Sequence, residues 1–330
     1  MAPLFGRRER LCQDTGVVIP YFTIPAFQPF PPGHALHWLG IQPFGVFMAL
    51  GVFFGTSLAR KFAEKNQLDD ETVRWLAFRI IVVGFIICHF VNALFYEPHR
   101  LKEDPMLLIR IWEGISSYGG IFGATLAFLF FTRNFDKMIK LRWADWVMAG
   151  TVPGFMFGRI GCAIVHDHIG VATKSPLGVD FSTVDPSPVV HGNLISGVHH
   201  DLGLYEVPVL LGLWLIIFLV SRIADRKDGL ITAISSIGYA IPRFFFEEYR
   251  FESTDPTYFG LTPAQYFSIF FVIVGLTILY RLYVAKKFTL ATVPDLHKIE
   301  VPTGGAKPPG TSASTPKTSG SKKKKKKGKK

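Results

Sequence analysis

Residues 157–170 read FGRIGCAIVHDHIG and end a long apolar segment with a charged side chain. Arg159 lies where partition into hydrocarbon would exclude it, because a charge at membrane depth is costly. Chains keep such a charge where it faces a polar cavity, a counter-ion or a substrate. Arg159 therefore predicts an internal polar site, and the rest of the sequence is interpreted as the membrane protein that builds it.

The composition is typical of a polytopic membrane protein. Of 330 residues, 49% are hydrophobic and 14% are aromatic, with 31 phenylalanines. The net charge of +11 is concentrated in the eight lysines of residues 322–330, without which the excess is about +3. The basic balance thus describes a tail, and no specific nucleic-acid partner is predicted. Three widely spaced cysteines predict neither a disulfide framework nor a metal cluster; they are Cys12, Cys88 and Cys162.

Seven apolar runs approach the ~20 residues that cross a hydrocarbon core. They lie at about 43–59, 75–96, 114–132, 144–165, 206–221, 229–248 and 263–284. Lysine and arginine are concentrated in the first, third and fifth connections, which the positive-inside rule assigns to the cytoplasm. An odd number of spans then places the N-terminus outside and the C-terminus in the cytoplasm. The predicted fold is an all-α membrane protein with a long outer loop between the fourth and fifth spans.

Three segments are predicted along the chain. Residues 1–40 are rich in proline and are expected to be irregular. Residues 41–285 form the seven-helix membrane domain. Residues 286–330 are expected to be a disordered, lysine-rich cytoplasmic tail, with contact to the anionic inner leaflet or to nucleic acid as the alternatives.

Charged residues of the sixth span share one helical face. Arg243, Glu247 and Arg250 are spaced i, i+4 and i+7. One interpretation is an Arg243–Glu247 ion pair that neutralises itself. The other is a positive remainder, shared with Arg159, that binds a lipid phosphate, since guanidinium groups bind phosphate oxygens in bidentate geometry. Other polar positions fall within or beside spans and require partners or interfacial contacts: His89, Tyr205 and Glu206.

Glycines in the third and fourth spans indicate close approach to the backbone. Helix packing through small residues and contact with a ligand both explain them; the glycines are Gly119, Gly120, Gly158 and Gly161. The sequence His166-Asp167-His168 resembles a metal-binding trio. Consecutive residues do not share a helical face, so no metal and no other cofactor is predicted.

Several motifs occur in a fixed order between residues 37 and 285. They are IQPFG at 41–45 with AR at 59–60, LFY at 94–96, WEGISSYGGIFG at 112–123, GRIG through Gly170 at 158–170, LYE at 204–206 and RxxxExxR at 243–250. The ordered set resembles the prolipoprotein diacylglyceryl transferase family of the bacterial inner membrane. The sequence departs from the family pattern at five positions: Phe44 replaces a tyrosine, His89 lies near a usual arginine, Tyr118 replaces a histidine, Cys162 an asparagine and Asp167 a glutamate.

The resemblance implies a multi-pass inner-membrane enzyme that takes the diacylglyceryl group of phosphatidylglycerol. The enzyme is expected to be a monomer. The group passes to the thiol of the lipobox cysteine in a prolipoprotein signal peptide, and glycerol phosphate is released. Arg159 and Arg243 are expected to bind the phosphate, assisted by Arg250. Glu247 is expected to orient Arg243 or to help handle the thiol proton. Tyr118 is expected to replace the family's histidine as the base, and Asp167 to brace the signature loop. The implied phospholipid-binding glycines are Gly119, Gly120, Gly158, Gly161 and Gly170, and the supporting residues are Cys162, Tyr205, Glu206 and His89.

Two other classes of function remain open from the sequence. A catalytically altered relative retains the arginine pocket and binds anionic phospholipid or lipoprotein precursors; the substitutions at 118 and 162 favour it. A small transporter also fits seven spans with buried charge, although the sequence shows no inverted repeat.

Overall fold

The computed structural model describes residues 18–29, 40–111, 114, 116–190, 193–223, 225–251 and 255–284. Eight α-helices lie in these ranges: α1 Pro43–Lys65, α2 Asp70–Val91, α3 Pro98–Glu103, α4 Ser117–Phe131, α5 Lys137–Val165, α6 Leu202–Val220, α7 Leu230–Phe246 and α8 Pro263–Leu279. Short π-helical segments follow α2 and α8, at Asn92–Tyr96 and Tyr280–Val284, and single 3-10 turns cover Pro105–Leu108 and Glu247–Tyr249. The predicted tail, Cys12, and residues 112, 113 and 115 of the third motif lie outside the described residues.

Polar side chains determine where several helices begin. Asp69 accepts a 2.7 Å hydrogen bond from the backbone N–H of Thr72 at the start of α2. Ser116, Asp201 and Thr262 cap α4, α6 and α8 in the same way, and Thr262 forms a reciprocal capping box with Gln265. Each cap satisfies a backbone donor that the first helical turn leaves unpaired.

Every predicted span contains a helix, but the helices differ in their capacity to cross a membrane. Five are long and apolar enough: 43–65, 70–96, 139–165, 202–220 and 263–284. Helix α4 has 15 residues and α7 has 17. Helix α4 is short because Gly114 adopts a left-handed conformation (φ 70°) and Ser116 caps the helix only after it. Helix α7 ends early because it tightens into the 3-10 turn at Glu247.

The basic connections meet at one end of the molecule. Lys65 donates to the carbonyl of Ser221 at 2.9 Å, and Arg142 pairs with Asp228 at 2.9 Å. These contacts join the first, third and fifth connections. At the other end, Gly170 packs against the carbonyl of Tyr249, which brings the long loop after α5 to the connection after α7. This arrangement agrees with the alternation of loop charge in the sequence.

Two tightly packed helix pairs frame the interior. Helix α1 packs mainly on α5, and α2 on α4. Glycines allow the backbones of α1 and α5 to approach closely: a Cβ at Gly51 would lie 2.4 Å from the carbonyl oxygen of Gly154, and one at Gly55 would lie 2.7 Å from that of Gly150. Helices α6 and α7 pack beside α5, and α8 packs on α7.

A small sheet interrupts the all-α prediction in the loop between α5 and α6. Four strands pair in the order β1-β3-β6-β2, and a separate hairpin joins β4 to β5; the bounds are β1 Ile19–Pro20, β2 Ile169–Ala172, β3 Val179–Asp180, β4 Val189–Val190, β5 Asn193–Leu194 and β6 Val198–Asp201. Strand β1 comes from the segment 1–40, which was expected to be irregular. These strands have two to four residues, too short to produce an alternating pattern in the sequence.

Candidate active site

A cavity of about 620 Å³ lies between the α1–α5 and α2–α4 pairs. Its walls along the helices are mainly apolar, with side chains such as Met48, Ile80, Phe85 and Phe155. Its polar end is lined by Tyr96, Ser117, Arg159, Cys162, Asp167, His168, Arg243, Arg250 and Asp255. A cavity with long apolar walls and one charged end matches the division of a phospholipid into acyl chains and a headgroup.

Arg159 lies at the centre of the polar end and is 1% exposed. Its Nε is 2.8 Å from Oε2 of Glu206 on α6. Its Nη2 donates to the hydroxyl of Ser117 at 3.1 Å, and its Nη1 lies 3.2 Å from Nε2 of His168. The arginine that the sequence singled out is thus partnered by α4, α6 and the loop after α5, so its position depends on the whole fold.

Glu206 bridges two of the predicted arginines. Its Oε1 lies 3.5 Å from Nε of Arg243, while its Oε2 pairs with Arg159. Tyr239 donates a 2.7 Å hydrogen bond to the same carboxylate. Arg243 also contacts Glu247 through Nη1, one helical turn further along. Both sequence interpretations of Arg243 therefore contain a correct part: the ion pair with Glu247 exists, and Arg243 and Arg159 belong to one site.

Arg250 extends the series toward the sheet end of the protein. Its Nε lies 3.9 Å from Oε1 of Glu247, and its Nη1 lies 3.4 Å from Oδ2 of Asp255. Burial raises the pKa of Asp255 to about 6, with Glu247 adding to the shift and Arg250 opposing it. The six side chains alternate in sign from Arg159 through Glu206, Arg243, Glu247 and Arg250 to Asp255.

The predicted positive remainder of the sixth span is wrong as a charge count. The sequence interpretation set two arginines against one carboxylate, but Glu206 and Asp255 join from other elements and balance the three guanidinium groups. The site is instead left with badly directed hydrogen bonds. In the part of the chain that the structure describes, the buried Nε donors of Arg159 and Arg243 have no well-aligned acceptor, and carboxylate oxygens of Glu206, Glu247 and Asp255 have no well-aligned donor. Buried polar groups that are poorly paired beside a cavity are available to a polar ligand.

Asp167 and His168 form a hydrogen-bonded pair next to Cys162. The Asp167 carboxylate contacts Nδ1 of His168, and Arg159 Nη1 lies 3.8 Å from the Cys162 sulfur. Burial raises the pKa of Asp167, but the hydrogen bond to His168 and the nearby charges outweigh it, and the net shift is downward. Burial lowers the pKa of His168, although Asp167 opposes this. Asp167 was predicted to brace the signature loop; its contact to the next ring is one way to do so.

The trio His166-Asp167-His168 is divided by the backbone. His166 has a left-handed φ of 51°, and its ring nitrogens contact Asp201 Oδ2 and the carbonyl of Phe22, each at 2.5 Å. It therefore faces the sheet, whereas Asp167 and His168 face the cavity.

Three other predicted side chains have structural partners. The hydroxyl of Tyr118 is 2.5 Å from the hydroxyl of Ser268, although its ring lines the cavity. The His89 ring is fully buried between the carbonyls of Leu107 and Gly114. The Tyr205 hydroxyl donates to the carbonyl of Leu177 at 3.0 Å. His89 braces the loop before α4, and Tyr205 anchors the long loop; neither lines the cavity.

The predicted phospholipid-binding glycines divide into two groups. Gly120 and Gly158 line the cavity. Gly119 packs against the carbonyl of Cys88, and Gly161 against Cβ of Phe47, so both permit helix packing. A Cβ at Gly170 would lie 2.1 Å from the carbonyl oxygen of Tyr249, which ties the signature loop to the end of α7.

Several members of the site were not predicted from the sequence. Tyr239 was available from the pattern, because it precedes Arg243 by one helical turn and shares its face. His168 was named only within the metal-like trio. No local pattern indicates Ser117 or Asp255, since the first is an ordinary helix-start residue and the second is brought in by a connection between helices.

Comparisons with known proteins match this sequence to one family. The family model described as prolipoprotein diacylglyceryl transferase matches residues 34–281. Two relatives are named phosphatidylglycerol–prolipoprotein diacylglyceryl transferase. The one from Sinorhizobium medicae is 29% identical over 74% of this chain and 88% of its own length. The one from Pseudoalteromonas atlantica is 31% identical over 71% of this chain and 79% of its own length. The relative of the same name in Synechococcus elongatus is 28% identical over 83% of this chain and 94% of its own length. The chain therefore belongs to the prolipoprotein diacylglyceryl transferase family.

Proposed function

We propose that this chain transfers the diacylglyceryl group of phosphatidylglycerol to the thiol of a lipobox cysteine in a prolipoprotein signal peptide, releasing glycerol phosphate. Family membership supports the reaction class, and the names of the relatives supply the two substrates. The observation that carries the proposal is the convergence of Arg159 and Arg243 on Glu206 at the charged end of a lipid-sized cavity.

The geometry suits alkyl transfer from a phosphodiester. Negative charge develops on the phosphate as the carbon–oxygen bond breaks, and preorganised guanidinium donors stabilise that charge in a water-poor cavity. Arg159 and Arg243 already have their positions fixed by Glu206, so little reorganisation is needed when the lipid binds. Arg250 lies further along the same series and would contact the distal glycerol of the headgroup.

We propose that the protein is a multi-pass monomer of the bacterial inner membrane. Helices α4 and α7 would complete the crossing between the five longer helices, giving seven spans with the N-terminus outside and the C-terminus in the cytoplasm. The positive-inside rule supports this orientation, because the basic connections meet at one end. The charged end of the cavity, next to the sheet, would then face the outer leaflet.

The test is a transfer assay with the purified full chain. Vesicles containing phosphatidylglycerol and a lipobox peptide should yield a diacylglyceryl adduct on the peptide cysteine and an equal amount of glycerol phosphate, both measured by mass spectrometry. Vesicles of phosphatidylethanolamine are the matched control. A wild-type chain that binds phosphatidylglycerol but forms no adduct would refute the transferase.

That outcome would support the second candidate, a relative that binds anionic phospholipid or precursors without transfer. The observation in its favour is that Tyr118, at the position of the family's histidine, has its hydroxyl on Ser268. Complementation of cells depleted of their own transferase distinguishes the two candidates in vivo.

A further inference from the structure

The chain contains a histidine–carboxylate pair whose histidine has no role in the family resemblance. It lies in the turn after α5, where the Asp167 carboxylate contacts Nδ1 of His168. Both residues line the polar end of the cavity, and the His168 side chain is 20% exposed.

The backbone presents this pair to Arg159. Helix α5 ends at Val165, and the left-handed conformation of His166 reverses the chain. The His166 ring is held by Asp201 and the carbonyl of Phe22, so the turn is fixed to the sheet. The reversal places Nε2 of His168 3.2 Å from Nη1 of Arg159, although the two residues are nine apart in sequence.

The contacts also determine which ring nitrogen carries the proton. A guanidinium only donates hydrogen bonds, so Nε2 of His168 accepts from Arg159. The proton of the neutral ring is then on Nδ1, where it is donated to Asp167. The single lone pair of Nε2 is therefore engaged by Arg159, and it would become free to accept a proton when Nη1 of Arg159 turns to the lipid phosphate.

We propose that His168 is the general base that deprotonates the substrate thiol, with Asp167 as the residue that fixes its tautomer and orientation. The proposal rests on the proposed transferase function and names a base other than Tyr118. The physical support for this proposal is that Nε2 of His168 lies next to Arg159, which is expected to bind the phosphate. A substrate thiol held beside Nε2 would lie between this base and the glyceryl carbon that the sulfur attacks.

The step balances without another reactant. The thiol proton passes to Nε2, and the sulfur forms a bond to the glyceryl carbon next to the phosphate. The bond between that carbon and the phosphate oxygen breaks, and its electron pair leaves with glycerol phosphate. His168 then releases the proton to water. Cys162 does not enter the step, since a thioether formed on it would not act as a leaving group.

The environment keeps His168 in its basic form near neutral pH. Burial is the largest effect and lowers the pKa of His168. Arg159 on α5 and Arg250 after α7 act in the same direction, whereas Asp167 opposes them. The Cys162 sulfur lies within 4.8 Å of the ligand atoms of Asp167 and His168, and Tyr96 and Asp255 are further titratable groups that line this end of the cavity.

The test is the pH profile of His168→Gln in phosphatidylglycerol vesicles with a lipobox peptide. Without a base, transfer requires a thiol that ionises by itself, and about 3% of a thiol with a pKa of about 8.5 is ionised at pH 7. We expect kcat/KM to fall about 30-fold at pH 7, to rise about tenfold per pH unit, and to approach wild type above about pH 9. His200→Gln is the matched control; His200 contacts Tyr205 and is expected to give the wild-type profile.

Three results would overturn the proposal. A His168→Gln rate equal to wild type at pH 7 would show that the ring takes no proton. A reduction in kcat/KM of His168→Gln that stays constant across the pH range would indicate a purely structural role for His168. Stoichiometric zinc whose removal abolishes transfer would make Cys162, Asp167 and His168 metal ligands, since their candidate ligand atoms lie within 4.8 Å of one another. Lack of transfer by wild type is a separate result, which refutes the proposed function and the base with it.

Discussion

Arg159 and Glu206 form a 2.8 Å ion pair between α5 and α6, and each side chain is 1% exposed. Glu206 also lies 3.5 Å from Arg243, so one carboxylate positions both guanidinium groups. The pair connects stability to function, because a buried charge without its partner is costly and both arginines that Glu206 positions line the cavity.

Glu206→Gln should therefore destabilise the protein and abolish transfer. The substitution leaves two buried arginines without this counter-charge, and the expected loss in the free energy of unfolding is about 3–5 kcal/mol. Thermal unfolding in detergent measures it. Asp70→Asn is the control, since Asp70 and Arg74 form an exposed pair expected to contribute at most about 1 kcal/mol. Equal unfolding temperatures for the two variants would contradict the buried bridge.

Arg159→Lys and Arg243→Lys should each reduce transfer by about 100-fold or more, the scale seen when a preorganised donor to a developing anion is lost. Lysine keeps the charge but not the planar fork of donors. Arg79→Lys is the matched control within α2, because its guanidinium stacks 4.0 Å over Trp75 instead of lining the cavity. Initial rates in phosphatidylglycerol vesicles provide the measurement; wild-type rates for both site variants would exclude the phosphate-binding role.

Tyr118→Phe and Tyr239→Phe test separately how much each of two buried tyrosine hydroxyl groups contributes to transfer. Tyr239 donates to Glu206 at 2.7 Å, so its loss should loosen the bridge and lower kcat by roughly tenfold, the equivalent of a hydrogen bond to a charged group. Tyr118 bonds Ser268, and its loss should change kcat by less than about threefold. A much larger defect in Tyr118→Phe would identify Tyr118 as the proton carrier.

Asp255 should make stability depend on pH. Its pKa is raised to about 6 by burial, above the value of an unfolded aspartate near 3.9, so the folded protein favours the protonated form. The stabilisation from this group is complete below about pH 4 and is lost as the pH rises through 6. The free energy of unfolding of Asp255→Asn should accordingly exceed that of wild type by roughly 1–3 kcal/mol between pH 5 and pH 8, with the larger difference at pH 8. Unfolding in detergent at pH 5 and pH 8 measures this difference. A stability advantage of the variant that increases toward acidic pH would contradict the raised pKa of Asp255.

The sequence predicted the helical framework and the central arginines because both leave strong local signals. Long apolar runs mark spans, and charges inside them mark a site. The i, i+4, i+7 spacing correctly placed Arg243 and Glu247 in contact. The number of carboxylates around them was not predictable, since Glu206 and Asp255 arrive from other elements.

The sheet and the turn after α5 were not predictable for a different reason. Their strands are too short to establish a period, and the reversal at His166 is a left-handed residue without glycine. Its stabilising contacts come from Asp201 and Phe22, which are 35 and 144 residues away in sequence. These remote contacts separate His166 from Asp167 and His168, and the pairing of Asp167 with His168 was not predicted.

The glycine contacts between α1 and α5 also limit how a lipid can reach the cavity. Gly51 with Gly154 and Gly55 with Gly150 leave no side chains between the two backbones, so these helices are expected to move as one stiff body. We therefore expect a two-tailed molecule to enter from the bilayer between this stiff body and the α2–α4 pair. Admission would depend on the elasticity of the surrounding membrane as well as on the charges within, and a thicker or more ordered bilayer would slow the first step.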